Sequence, residues 1–186
     1  MKERKLNRLK GHDYSGDGYY YFVTVCTKDR AERFGAIKNG RMVLNQYGKI
    51  VSECWSQIPD HYPGVSLDEW VIMPNHIHGI VMIVGTEQCS VPTMSETTPQ
   101  PKTKHASLSW IVKSFKDVTT KQIRANHCKR FGWQRSFHDH IIRHETALNN
   151  IREYIRNNPL QWDSDPKNLN ARPTSHVGVG NEMEVV

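Results

Sequence analysis

His76 and His78 stand one residue apart in the apolar stretch VIMPNHIHGIVMIV, residues 71–84. Side chains of an extended strand alternate between faces, so both imidazoles point one way and Ile77 the other. Two imidazoles on one face, about 7 Å apart along the strand, can converge on a single divalent ion. They can equally be two polar residues held in a core strand, and a catalytic metal usually has three protein ligands. A candidate third lies in NIREYIRNNP, residues 150–159, where Tyr154 and Asn158 are four apart and leave one face of a helix together. Each has a plain structural alternative. Tyr154 edges the apolar stripe of Leu148, Ile151 and Ile155, a common place for a core tyrosine with a wet hydroxyl. Asn158 suits a helix C-cap, and Pro159 biases it away from helical geometry. Taken together, the residues describe one chemistry. Two imidazoles and an amide oxygen suit a metal that acts as a Lewis acid on a phosphate, and a tyrosine one turn away is a nucleophile beside it. A phenol with a pKa of about 10 needs its proton accepted or its pKa lowered. No dedicated base stands out, and His140 is only a weak candidate.

These side chains need a scaffold. YYYFVTVCT, residues 19–27, is rich in aromatic and β-branched residues and reads as a strand. Asn39-Gly40 between short apolar runs signals a hairpin turn. Tyr47, Ile50, Val51, Cys54, Trp55 and Ile58 recur at offsets of three and four, which predicts an amphipathic helix capped by Asn45 and ended by Pro59 and Pro63. VSLDEWVIM and HIHGIVMIV read as two strands joined by a tight turn at Pro74-Asn75. Residues 85–106 turn to Ser, Thr, Pro, Gln and Lys and read as a mobile loop. A second long helix follows, with Leu108, Ile111, Val112, Phe115 and Val118 or Thr119 on one face. RSFHDHIIR reads as a short strand and ETALNNIREYIRNN as a third helix stopped by Pro159. The order matches an α+β fold of ferredoxin-like type, a split βαββαβ antiparallel sheet with helices on one face. An added β-hairpin and a C-terminal helix carrying Tyr154 complete it. The expected boundaries are a basic extension at 1–17, one domain at 18–163, and a loose polar tail at 164–186.

The 186 residues suit one domain with tails. A net charge of +6 and a pI near 9.2 favour an acidic partner, nucleic acid being the common one, and also fit a merely soluble basic protein. Cys26, Cys54, Cys89 and Cys128 form no CxxC pair, which speaks against a structural zinc site or disulfide framework. They read as reduced thiols in a cytoplasm. The longest apolar stretch, residues 77–84, is too short to span a bilayer. The basic MKERKLNRLK lacks the apolar run of a secretion signal.

The His-hydrophobic-His pattern, followed by WQRSFHDHIIRHETALNNIREYIRNNPLQW, resembles the single-tyrosine HUH transposases, and within them the REP-associated tyrosine transposases. The resemblance runs from about Gly18 to Trp162, with YYFVTVCT, WVIMPNHIHGIV and SLSWIVKSFK in the same order. It implies a metal-dependent single-stranded DNA endonuclease and strand-transferase acting at hairpin-forming repeats. Tyr154 would be the nucleophile that forms a 5′-phosphotyrosine link and frees a 3′-hydroxyl. His76, His78 and Asn158 match the ligands of Mg2+ or Mn2+, although other branches carry Gln at the third position. The substrate implied is a single strand with a small imperfect hairpin from repeated palindromic elements. The REP-associated branch implies a monomer, and a DNA enzyme of this kind implies a cytoplasmic, nucleoid-associated protein.

Lys113, Lys116, Arg135 and Arg143 are the candidate DNA contacts, with Lys121, Arg124, Lys129, Arg130 and the basic N-terminus in support. Each lysine taken singly reads equally as a solvated surface residue, while Trp110 and Phe115 read as core. Two other functions fit the same residues. One is a catalytically unused DNA-binding protein that recognises repeated palindromic hairpins. The other is a phosphoesterase that uses water and has no need of Tyr154.

Overall fold

Alternation in YYYFVTVC builds the central strand, β1 (Tyr19–Cys26), with Tyr21, Val23 and Val25 fully buried on one face and Tyr20, Phe22 and Thr24 on the other. The computed structural model describes residues 19–84, 107–126 and 128–171. The expected N-terminal extension, the loop at 85–106 and the tail beyond residue 171 lie outside the described residues.

After β1, β2 (Gly35–Lys38) and β3 (Arg41–Leu44) form a separate hairpin. Its turn has Asn39 at φ 52° and Gly40 at φ 70°, the paired positive values that a tight hairpin of this type needs. Asn45 caps α1 (Gln46–Ser56), its side-chain oxygen accepting from the Tyr47 and Gly48 amides at 2.9 and 3.0 Å. Pro59 does not simply end the helical stretch. It sits in the first turn of a short α2 (Ile58–His61), where its missing N–H is not needed.

β4 (Val65–Met73) turns through Pro74-Asn75 into β5 (His76–Ile83), as the two strand patterns predict. α3 (Leu108–Ala125) buries Leu108, Ile111, Val112, Phe115, Thr119 and Ile123, so Thr119 rather than Val118 continues the apolar face. β6 (His138–Ile142) pairs with the free edge of β1. The sheet runs β4-β5-β1-β6, antiparallel throughout, which is the split βαββαβ arrangement.

The two faces bury different helices. Tyr21, Val23, Val25, Ile77 and Val81 meet Val51 and Trp55 of α1 and Ile111 and Phe115 of α3 in the main core. Gly79 faces Trp55 there, and a Cβ at that position would lie 2.6 Å from the indole. On the other face, Ile80 and Ile142 pack with Leu148 and Ile155 of α4 (Glu145–Asn157), with Phe22 and Tyr154 beside them. The alternation of β1 and β5 thus sets the histidines toward α4.

Pro159 does not push Asn158 out of helical geometry, contrary to the expectation from its position. Asn158 has φ −56° and ψ −41°, and a 3-10 helix continues over Asn158–Ser164. Proline is placed in the first turn of that new helix, where its fixed φ fits. Residues 164–171 fall where composition suggests a tail, yet they fold back on the Asn75 turn. Asp165 and Asn168 are buried, and the Asn75 side-chain amide donates to the Lys167 carbonyl at 2.8 Å. Among the described residues no helix is long and apolar enough to cross a membrane.

Candidate metal and nucleophile site

β5 carries His76 and His78 into the layer between sheet and α4, where both are almost fully buried. Each ring is held by its Nδ1. The Asn75 amide nitrogen donates to the Arg30 and Lys167 carbonyls, so Asn75 Oδ1 is free to accept from His76 Nδ1 at 2.7 Å. His78 Nδ1 meets Thr24 Oγ1 of β1 at 2.8 Å. Bonds at Nδ1 orient the rings and leave Nε2 available, as in metal sites generally. Phe22 stacks on His78 at 5.2 Å, and the two imidazoles lie 4.6 Å apart, nearly perpendicular.

Burial is the main cause that holds both imidazoles well below their ordinary pKa. The charges of Lys167 and Arg30 add to it at His76, and those of His76 and Lys167 at His78. The neutral ring is the form that ligates a cation. His76 Nε2 has no hydrogen-bond partner among the described residues, and Asp165 Oδ2 lies 3.8 Å from it. Ligand atoms of His76, His78 and Asp165 all fall within 4.8 Å of one another.

Tyr154 and Asn158 arrive on one helix face, as their spacing predicts. The Tyr154 hydroxyl lies 3.4 Å from His78 Nε2, and its ring meets those of His78 and Phe22 edge-on. Burial pushes the phenol's pKa up, the Asp165 carboxylate pushes it the same way, and a hydrogen bond from the Asn158 side chain pulls it back. Asn158 is buried, and its Oδ1 has no partner among the described residues. An unpaired buried acceptor costs about 1–3 kcal/mol. An unpaired imidazole nitrogen beside a buried carboxylate fits a cation, which would remove that cost at His76. His140 is exposed and makes no hydrogen bond to Tyr154 among the described residues.

The residues that sequence reasoning missed are Asn75, Thr24 and Asp165. Asn75 and Thr24 were legible only as a turn residue and a strand residue, and Asp165 sits in a polar stretch without periodicity. Also unforeseen is the clamp on α4. Arg152 grips both Asp68 oxygens at 2.8 and 2.5 Å, and Arg156 binds Glu69 Oε1 at 2.9 and 2.7 Å. The two acids occupy the register shift of β4 between Leu67 and Trp70.

The four candidate DNA contacts differ in how they are engaged. Lys113 pairs with Asp117 at 2.7 Å and lies over the Trp110 ring. Trp110 is 58% exposed, so it is not a core residue, whereas Phe115 is. The Lys116 ammonium donates to the Gln134 and Ser136 carbonyls at 3.0 and 2.9 Å. Arg135 and Arg143 are exposed, and Arg143 lines a cavity of about 470 Å³ with Tyr19, Tyr20 and Arg152.

No family model matches the chain. It is 41% identical over 168 residues to an uncharacterized protein of Haemophilus influenzae, spanning 89% of this chain and 93% of that one. A solved REP-associated tyrosine transposase, bound to a REP hairpin, matches 83% of this chain and 74% of its own with a TM-score of 0.53 and 19% identity. The chain therefore belongs to one family with the Haemophilus influenzae protein, and its fold is that of the REP-associated tyrosine transposase.

Proposed function

We propose that this protein is a transposase-like enzyme that cuts and rejoins single-stranded DNA beside small hairpins, using Tyr154 as nucleophile. The observation that carries the reading is the 3.4 Å approach of the Tyr154 hydroxyl to His78 Nε2, beside His76 Nε2 and Asn158 Oδ1, which have no hydrogen-bond partner among the described residues. The neighbour's REP hairpin suggests the substrate class, repeated palindromic elements.

His76 and His78, with Asn158 and Asp165 as the oxygen donors, would hold Mg2+ or Mn2+, the nitrogen ligands favouring manganese. When bound, such an ion polarises a phosphodiester and offsets its charge. The chain's own groups do the rest. Asn75 and Thr24 orient the imidazoles, α4 carries the phenol to the phosphate, and the Asn158 amide favours phenolate through its hydrogen bond. The phenol oxygen forms a bond to phosphorus as the bond to the 3′ oxygen breaks. The phenol proton ends, in net terms, on the released 3′-hydroxyl. Attack by a 3′-hydroxyl on the phosphotyrosine reverses these changes and rejoins a strand.

The test traps the covalent product. The protein is incubated with Mn2+ and a pool of single strands containing short hairpins, denatured, and the attached DNA sequenced. Adducts with wild type and none with Tyr154→Phe or His76→Ala are the expected result. Hairpin binding without any adduct would replace this reading with a DNA-binding protein that does not cut. Hydrolysis that persists in Tyr154→Phe would point to water as the nucleophile.

A further inference from the structure

We propose a second phosphate-binding site, beside the Asn75 turn, that grips the DNA strand a few nucleotides from the reacting phosphate. This rests on the reading of the chain as a single-strand DNA enzyme. Lys28, Asp29 and Arg33 from the loop after β1, and Arg130 with Gly132 from the segment before β6, line a cavity of about 360 Å³. Three cations therefore face one carboxylate. Among the described residues none of the three cations has an ion pair or a side-chain hydrogen bond. Neighbouring cations are committed elsewhere: Arg30 to the Pro166 carbonyl, Arg124 to that of Phe131, and Lys116 to those of Gln134 and Ser136.

The cavity is built onto the candidate site. The Lys28 amide donates to the Gly132 carbonyl at 2.8 Å, and Thr27 bridges to Trp133, so its two walls are joined. The Thr27 amide donates to the Asn75 carbonyl at 2.9 Å, its hydroxyl is shared between the carbonyls of Ala31 and Asn75 at 2.8 and 3.0 Å, and the Arg33 amide donates to that of Pro74 at 2.8 Å. Asp29 and Arg30 turn the loop with φ of 58° and 53°, values uncommon outside glycine. The residue that anchors this wall, Asn75, is also the one that orients His76. Neighbouring Cα atoms are about 3.8 Å apart along a chain, and paired strands about 5 Å apart. The rim of the cavity thus lies on the order of 10 Å from the histidines, a few nucleotides of strand at about 3.4 Å or more each.

The chemistry selects backbone rather than base. Phe131 in the wall is 1% exposed and offers no stacking face. Free ammonium and guanidinium groups recognise phosphate charge without reading sequence.

The test measures affinity for fluorescein-labelled oligo(dT) across about 50–200 mM salt, using the full chain. It compares wild type with a Lys28→Ala, Arg33→Ala, Arg130→Ala variant. A remote variant of equal charge loss, Lys38→Ala, Arg41→Ala, Lys49→Ala, is the control, and circular dichroism checks folding of each. Each single-strand phosphate contact adds about 0.7 to the slope of log affinity against log salt. The cavity variant should flatten the slope by about 2, removing roughly a 20-fold loss over that range, while the control keeps the wild-type slope. Neutral methylphosphonate links placed singly around the cleavage site should weaken wild type at specific positions and leave the cavity variant unaffected there. Equal slopes in wild type and cavity variant, with cleavage intact, would overturn this site and leave the functional reading standing. Equal flattening in both variants would reduce it to general charge and overturn it too. A wild type that binds no single strand would remove the functional reading and this site with it.

Discussion

At the scale of the residue, the candidate site is defined by buried atoms that lack hydrogen-bond partners among the described residues. These are His76 Nε2 and Asn158 Oδ1, and the Asp165 carboxylate faces the first of them at 3.8 Å. A cation is the partner that would satisfy His76 and Asp165 together, and Asn158 Oδ1 is a further oxygen donor at the end of the helix that carries Tyr154. Both Asn158→Ala and Asp165→Asn are therefore expected to weaken Mn2+ binding, each by about tenfold or more, by calorimetric titration of the full chain. Unchanged affinity in Asp165→Asn would show that its carboxylate only neighbours the ion. Tyr154→Phe removes one hydroxyl whose contact with His78 Nε2 is a long 3.4 Å. Its unfolding free energy should stay within about 1 kcal/mol of wild type. Adduct formation should nonetheless disappear, which denaturing gels with labelled DNA would read.

At the scale of the element, α4 must hold the phenol in register over β5, and its own apolar stripe is short. Arg152 and Arg156 fasten it to Asp68 and Glu69 at the irregularity of β4. The Arg152 hydrogen bond is the main cause that lowers the Asp68 pKa. A carboxylate lowered on folding stabilises the native state above its unfolded pKa of about 3.9, and that contribution is lost as pH falls through the folded value. Asp68→Asn should flatten the acid limb of a stability–pH profile below about pH 4. It should also slow adduct formation more than it weakens DNA binding, because the clamp lies two residues from Tyr154. Equal loss of rate and affinity would indicate general unfolding instead. β5 has its own constraint. Gly79→Ala puts a methyl 2.6 Å from Trp55 and should cost about 1–3 kcal/mol in denaturant unfolding, with the histidine-bearing strand displaced.

At the scale of the whole molecule, both histidines, Tyr154, Asn158 and Asp165 come from one chain. A monomer can thus assemble the site. Mixing Tyr154→Phe with His76→Ala should yield no covalent adduct, whereas a site shared between protomers would regain it. The +6 charge gives the molecule a general attraction to nucleic acid, but its cations are used unevenly. Lys116 straps the segment before β6 and Lys113 pairs on its own helix, whereas Lys28, Arg33 and Arg130, which line one cavity, have no such bonds among the described residues.

The sequence by itself determined the local facts. Alternation showed that His76 and His78 share a face, the i,i+4 spacing placed Tyr154 with Asn158, and apolar periods located the strands and helices. These depend on backbone geometry a few residues long. Pro159 marked the end of α4 correctly but misled about Asn158, because its rule concerns one helix and the chain starts a second at that point. Which distant groups meet was decided only by the tertiary structure. The anchoring of His78 by Thr24, the return of Asp165 to the histidines and the grip of Arg152 on Asp68 join residues far apart in the chain. No local period encodes such a meeting: it exists only once the sheet order and the docking of α4 bring those segments together.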